Sequence, residues 1–139
     1  MSLKDILDNS TDNSLSGQKW HMIRQSIVKR LLSVGNATIA ELSSELQSSV
    51  PTVTKAVNEL LLEGYLFDMG KVTNSGGRRP SLYSVNPICA YFLGVEVGRA
   101  SMSIGLQNIK NEFVSLDLST SFVLKNSKKS LMEFCNLIN

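Results

Sequence analysis

Residues that bind metals or form disulfides are scarce in this 139-residue chain, which has two cysteines, Cys89 and Cys135, and one histidine, His21. Neither cysteine has a partner at the spacing of a metal site, so the sequence predicts no metal centre. Because free cysteine is among the residues most often buried, we expect both thiols to be small buried side chains rather than a disulfide or reactive groups.

Long hydrophobic runs are also lacking. The longest nearly uncharged apolar run, residues 90–95, is far shorter than the roughly 20 residues that span a bilayer. The first residues include Asp5 and Asp8, where a secretory signal would need a basic start and an apolar core. We therefore expect a cytoplasmic protein that does not contact a membrane.

What is present is the composition of a foldable chain, with 42% hydrophobic and 19% charged residues and a formal net charge of +2. The length fits one domain, or one small domain with part of another. Eight Lys and Arg residues and five acidic residues lie within 19–85. This mild basic bias is compatible with a nucleic-acid partner but does not establish one.

The segment 17–34 has the pattern of an amphipathic helix. Its apolar residues recur at three- and four-residue steps, and Gly35 follows as a suitable cap. The apolar stripe comprises Trp20, Ile23, Ile27, Leu31 and Val34, and the opposite, solvent-facing side comprises Lys19, Arg24, Gln25, Lys29 and Arg30.

Two further helices are predicted immediately after it. Thr38 and Glu41 have the spacing of a capping box, which predicts a second helix that runs to about Leu46. Pro51 falls in the first turn of a third helix, where its missing amide proton costs little, and Gly64 ends that helix.

Short strands follow the helices. Segments 65–67 and 82–85 are predicted to form a β-hairpin, which we call the wing, with a long polar tip at 68–81. Asn86-Pro87 marks a domain boundary. Beyond it, segments 91–97, 101–107 and 112–118 are predicted strands, and 127–139 has the spacing of a helix.

Three helices followed by a hairpin is the order of a winged helix-turn-helix, a fold that binds DNA. On the free face of the third helix, threonine and asparagine side chains can reach base edges and Lys55 can neutralise a phosphate. In the wing, two arginines beside glycine and proline suit insertion near phosphates or into a minor groove. The candidate DNA-binding residues are Thr52, Thr54, Lys55, Asn58, Gly77, Arg78, Arg79 and Pro80.

Two other functions remain open on the residues alone. The winged helix could be a protein-interaction or oligomerisation module that never binds DNA, since the fold serves both purposes. Neutralisation of Lys55, Arg78 and Arg79 by Glu59 and Glu63 would favour that alternative. Residual nucleotide or sugar binding at 96–100 is the third hypothesis, and we expect none.

The motifs together resemble the repressor branch of the ROK family (repressors, open reading frames and sugar kinases) over about residues 19–118. The resemblance is carried by Thr38-Ile39-Ala40-Glu41-Leu42, Glu63-Gly64-Tyr65-Leu66, Gly77-Arg78-Arg79-Pro80, Asn86-Pro87 and Leu93-Gly94-Val95-Glu96-Val97-Gly98. It implies an N-terminal DNA-binding domain joined to an actin-like domain that senses a sugar or sugar phosphate within a homo-oligomer.

By the same resemblance, Ser49 caps the recognition helix, and Thr52, Thr54 and Lys55 face the major groove. Gly77, Arg78 and Pro80 belong to a wing or linker that touches the minor groove. Pro51 departs from the small residue that is frequent in such repressors, and proline restricts Val50 toward extended geometry, which leaves the start of the helix open.

Sugar kinases of this family carry an Asp-x-Gly-Gly-Thr phosphate loop, whose glycines let backbone amides approach phosphate. This chain has Glu96-Val97-Gly98-Arg99-Ala100 instead. We therefore predict no kinase activity, no catalytic residues and no cofactor, and we expect Glu96 and Arg99 to form a structural ion pair.

The sequence as a whole predicts an α+β protein. It comprises a flexible arm (1–16), a winged helix-turn-helix of three helices and a hairpin (17–86), and an incomplete actin-like α/β domain of three strands and a helix (87–139). With the resemblance, the function implied is a transcriptional repressor of sugar-utilisation genes that a sugar or sugar phosphate relieves. Its predicted partners are a double-stranded DNA operator, further copies of the chain in a homodimer or larger homo-oligomer, and a sugar effector bound only through the remainder of the second domain.

Overall fold

The computed structural model describes residues 14–71 and 80–137 of the chain. They form two units, which divide between Cys89 and Ala90. The first unit contains three helices and a two-stranded sheet, and the second contains a three-stranded sheet and one helix. The predicted α+β fold class is confirmed.

The first helix, α1 (Leu15–Val34), begins two residues earlier than the pattern predicts. The Ser14 hydroxyl accepts a hydrogen bond from the Gly17 amide at 3.1 Å and caps the first turn. Gly35 ends the helix with φ +87°, a conformation that favours glycine. Leu15 and Ser16, assigned to the arm, are therefore helical, and residues 1–13 of that arm lie outside the described residues.

The second helix, α2 (Ile39–Glu45), begins with the predicted capping box. The Thr38 hydroxyl accepts from the Glu41 amide at 3.3 Å, and the Thr38 amide donates to the Glu41 carboxylate at 2.7 Å. A turn containing Gln47, whose φ is +49°, leads to the next helix. The short helix and tight turn give the predicted helix-turn-helix.

The third helix, α3 (Val50–Leu62), includes both Val50 and Pro51 in its first turn. The Ser49 hydroxyl accepts from the Thr52 amide at 3.3 Å. The proline therefore does not distort the start of the helix, because a residue in the first turn has no helical acceptor for its amide.

The wing pairs β1 (Leu66–Lys71) with β2 (Ser81–Val85) in an antiparallel ladder. An additional rung joins β2 to the α1–α2 linker: the Ala37 amide donates to the Tyr83 carbonyl at 3.1 Å, and the Tyr83 amide donates to the Ala37 carbonyl at 2.9 Å. The Ser84 hydroxyl also donates to the Gly35 carbonyl at 2.6 Å. The base of the hairpin is thus hydrogen-bonded to the chain between α1 and α2.

The core of the first unit consists of apolar residues from all three helices, the α1–α2 linker and both strands of the wing. Their burial is the main stabilising contribution to the unit, because apolar surface is removed from water. The buried residues are Ile27, Val28, Leu31, Ala37, Leu42, Val53, Ala56, Val57, Leu60, Leu66 and Val85.

A charged side chain also lies in this core. Arg24 is only 8% exposed, and its guanidinium pairs with Glu63 at the end of α3 while Nη1 lies 3.9 Å from Glu59 Oε2. The prediction that Arg24 lies on the solvent face of α1 is wrong. Its position in α1 faces the acidic residues of α3, which were not assignable as partners from the helical pattern of α1 alone.

The second unit contains β3 (Tyr91–Val97), β4 (Ser101–Asn108) and β5 (Phe113–Ser121), antiparallel and in that order, followed by α4 (Lys128–Leu137). The three strands and the helix are as predicted, with ends that differ by a few residues. Phe122 is buried and its ring lies 6.0 Å from that of Phe134 on α4. This contact connects the helix to the segment that follows the sheet.

The expectation of two buried thiols is wrong for Cys135, which is exposed, while Cys89 is partly buried. Cys135 lies on α4, whose described side chains are mostly exposed. Both cysteines are free. Burial raises the pKa of the Cys89 thiol, which disfavours its thiolate.

Within the ranges 14–71 and 80–137, no helix is long and apolar enough to cross a membrane. The same residues contain no group of three or more histidine, cysteine or acidic side chains that could hold a metal ion.

The capping box gives a first prediction, for Thr38→Ala. Loss of the cap removes two hydrogen bonds to the first turn of α2 and should cost about 1 kcal/mol of unfolding free energy. We expect the melting temperature, followed by circular dichroism, to fall by about 4 to 8 °C. Ser44→Ala, at an exposed position of α2, is the control, and an equal loss in both variants would contradict the role of the cap.

A second prediction concerns pH. Hydrogen bonds from the backbone and then the side chain of Thr38 lower the pKa of Glu41. The stabilisation is therefore complete above the unfolded-state pKa, about 4.3, and is lost as the pH falls through the lowered folded-state value. We expect Glu41→Gln to melt below wild type at pH 7, with the gap narrowing as the pH falls below the unfolded-state pKa and through the lowered folded-state one. A gap that is constant with pH would contradict this.

Arg24 gives a third prediction. Arg24→Met keeps an unbranched apolar stem but leaves Glu63 without its partner, and it should cost about 2 kcal/mol in thermal or urea unfolding. Lys29→Met, at an exposed position of the same helix, is the matched control and should change stability little. Equal stability of Arg24→Met and wild type would show that the ion pair is dispensable.

Candidate nucleic-acid interface

The outward face of α3 carries the polar residues that the sequence predicts to contact DNA. The opposite stripe of the helix, formed by Val53, Ala56, Val57 and Leu60, is buried. That stripe fixes the rotation of α3 about its axis, so the residues between its members point outward. Lys55 and Asn58 are exposed, and Thr52 and Thr54 are partly exposed.

The hydroxyl groups at the start of α3 form local hydrogen bonds. The Ser49 and Thr52 hydroxyls lie 2.7 Å apart, and the Thr54 hydroxyl donates to the Val50 carbonyl at 2.8 Å. Ser49 caps the helix, as the resemblance implies. These contacts order the first turn and hold the two threonines on the outward face.

Lys55 lies close to two side chains, one on its own helix and one on α1. Its Nζ lies 4.8 Å from the centroid of the Trp20 ring and 3.9 Å from Glu59 Oε1, while 70% of the lysine side chain is exposed. Trp20 Nε1 donates to Glu59 Oε2 at 3.0 Å. We call Trp20, Lys55 and Glu59 the Lys55 clasp.

Glu59 on α3 and Glu63, the residue that caps its C-terminal end, have different partners. Glu63 pairs with Arg24, whereas Glu59 is shared between Trp20, Lys55 and the edge of the Arg24 guanidinium. The positive charge of Lys55 is therefore only partly neutralised, because the one carboxylate beside it also contacts Trp20 and Arg24. Arg24 Nε is buried with no hydrogen-bond partner in the described part of the chain.

The predicted site in the wing falls mostly in the undescribed segment. Gly77, Arg78 and Arg79 lie outside the described residues, and Pro80 is exposed directly before β2. The structure brings together Ser49, Thr52, Thr54, Lys55 and Asn58 on or beside α3. Their contacts with DNA, and those of the wing residues, stay predictions.

The segment 96–100 does not contain the expected ion pair. Glu96 and Arg99 are both exposed, and neither forms an ion pair with any residue in the described ranges. Two exposed charges gain little free energy when they pair in water, so the ion pair between Glu96 and Arg99 has little driving force. The turn is closed instead by the Gly98 amide, which donates to the Ser101 carbonyl at 2.8 Å.

Sequence reasoning missed the contribution of Trp20 and Arg24 to this surface. Trp20 fits the apolar stripe of α1, but its indole N–H meets a carboxylate 39 residues away. The chain has a single tryptophan, and a polar N–H on an apolar stripe is the one signal that pointed to a polar partner.

Comparison with known proteins supports the predicted resemblance. No protein-family model matches the chain. The xylose repressor of Caldicellulosiruptor bescii is 26% identical over 136 residues, which cover 98% of this chain and 28% of the repressor. The xylose repressor of Bacillus subtilis is 33% identical over 72 residues, which cover 52% of this chain and 19% of the repressor. The chain thus spans less than a third of the length of these relatives.

A solved structure shares the fold. The crystal structure of a ROK family transcriptional regulator, a homologue of the E. coli MLC protein, superposes with a TM-score of 0.56 at 17% identity, covering 84% of this chain and 30% of that one. The chain is thus similar in sequence to xylose repressors and in fold to a ROK family transcriptional regulator, and both similarities support the resemblance predicted from the sequence.

Proposed function

We propose that the first unit binds double-stranded operator DNA and that the protein acts as a transcriptional repressor of sugar-utilisation genes. The observation that carries the proposal is the outward face of α3, where the buried stripe fixes Thr52, Lys55 and Asn58 on the accessible side of a helix-turn-helix. The similarity to proteins named xylose repressors supports the same function.

In this proposal α3 lies in the major groove. Thr52, Thr54 and Asn58 read base edges with their hydroxyl and amide groups, and Lys55 neutralises a phosphate. Ser49 holds the N-terminus of the helix, whose amides favour an anionic backbone. Gly77, Arg78, Arg79 and Pro80 form the second contact, beside phosphates or in a minor groove.

The proposal includes a homodimer or larger homo-oligomer, because two linked weak contacts reach a much higher affinity than one. Two half-sites about one DNA turn apart are then expected. A sugar or sugar phosphate would relieve repression. Its binding site would correspond to the part of the relatives that lies outside the matched residues. Since operators are chromosomal, we place the protein in the cytoplasm.

A regulatory rather than enzymatic role is part of the same proposal. Glu96-Val97-Gly98-Arg99-Ala100 lacks the second glycine and the threonine of the kinase phosphate loop. The missing glycine removes backbone freedom for close approach to a phosphate, and the missing threonine removes a hydroxyl ligand.

The test is selection of bound duplexes from a genomic or random library at two salt concentrations. We expect a selected sequence with related half-sites and an affinity that falls as salt rises, because binding to phosphates releases counterions. Failure to select any sequence would contradict the proposal. Self-association without DNA binding would favour an interaction module instead.

The wing gives a further prediction on the selected operator. The double variant Arg78→Ala, Arg79→Ala should lower the slope of log affinity against log salt by about one to two units, if both arginines contact phosphates. Lys128→Ala, Lys129→Ala removes the same charge from exposed positions of α4 and is the matched control. An equal change in both double variants would contradict a specific role for the wing.

A further inference from the structure

We propose that Glu59, held in place by Trp20, competes with DNA phosphate for Lys55, so that the Lys55 clasp lowers the operator affinity of α3. This makes Glu59 and Trp20 positioning residues that act through Lys55. The inference rests on the proposed function, because it names the control of one contact in that DNA interface.

Lys55 is restrained by its two neighbours, but its ammonium group can still move to a DNA phosphate. Its Nζ is 3.9 Å from Glu59 Oε1, beyond the distance of a hydrogen-bonded ion pair, and 4.8 Å from the Trp20 centroid. With 70% of the side chain exposed, the ammonium can leave both neighbours without crossing packed atoms. A DNA phosphate that approaches this face offers an anionic oxygen that the ammonium can meet at hydrogen-bond distance.

Glu59 is held more firmly than Lys55. Its Oε2 accepts from Trp20 Nε1 at 3.0 Å and lies 3.9 Å from Nη1 of Arg24, while 33% of its side chain is exposed. Trp20 and Arg24 both belong to α1, so the Glu59 carboxylate is held by side chains of another helix. It would lose these contacts if it moved toward DNA together with Lys55. Transfer of Lys55 to phosphate therefore breaks the contact with Glu59.

In this proposal, the strength of the contact between Lys55 and phosphate depends on Glu59, which does not itself contact DNA. Glu59→Gln keeps an oxygen that accepts from the Trp20 indole but removes the charge that attracts Lys55. The lysine is then free to pair with phosphate at all times. We expect this variant to bind its operator more tightly, and the gain to require Lys55.

The experiment is a double-mutant cycle on the operator selected by the wild-type chain. Glu59→Gln should raise the affinity about two- to fivefold, the range of an exposed ion pair. In a Lys55→Gln background the same change should alter the affinity less than about 1.5-fold, because nothing remains to be released. Glu63→Gln, four residues further along the chain at the C-terminal cap of α3 and paired with Arg24, controls for loss of a negative charge near DNA.

Fluorescence gives a second measurement, since Trp20 is the only tryptophan. Removal of Lys55 from the ring on DNA binding should change the emission of the wild type, and Lys55→Gln should lack that part of the change. A tryptophan with a purely structural role would respond alike in both proteins. Thermal melts establish that each variant is folded.

The outcomes separate the two proposals. Wild-type protein that binds no duplex contradicts the proposed function and this inference with it. Wild-type protein that binds, with Glu59→Gln acting equally in the wild-type and Lys55→Gln backgrounds or no more than Glu63→Gln, overturns the role of the clasp alone. Tighter binding that depends on Lys55, together with the Lys55-dependent emission change, supports it.

Discussion

The contact between α1 and α3 is the constraint on which the rest of the first unit depends. Apolar residues of the two helices exclude water between them, and one cation, Arg24, enters this contact to meet the carboxylate of Glu63. A buried cation needs an anionic partner, since charge is costly to remove from water. Together with the buried apolar stripe of α3, this requirement restricts the rotation of α3 relative to α1, and with it the set of residues that α3 presents outward.

Local features of the fold followed from the sequence, because their causes lie within a few residues. The capping box of Thr38 and Glu41, the glycine after α3 and the three strands of the second unit all depend on short-range spacing. Contacts between segments that are distant in the sequence could not be predicted from it. A helical pattern assigns Arg24 to a polar face, but only the packed structure places it opposite α3.

The candidate site likewise contains residues that the sequence identified and contacts that it did not. Helical spacing alone identified the outward residues of α3, since the buried stripe determines which positions remain. The approach of Trp20 to Glu59 joins two helices across 39 residues and has no local signature. The expected pair of Glu96 and Arg99 was wrong for the opposite reason: sequence proximity suggested a contact that solvated charges have little reason to form.

The rung between Ala37 and Tyr83 has a mechanical consequence. Its two hydrogen bonds connect β2 to the linker directly before α2, and Ser84 adds a third bond to the same linker at Gly35. A shift of the wing strand is therefore expected to move the start of the helix-turn-helix with it. Displacement of β2 alone would have to break these three hydrogen bonds.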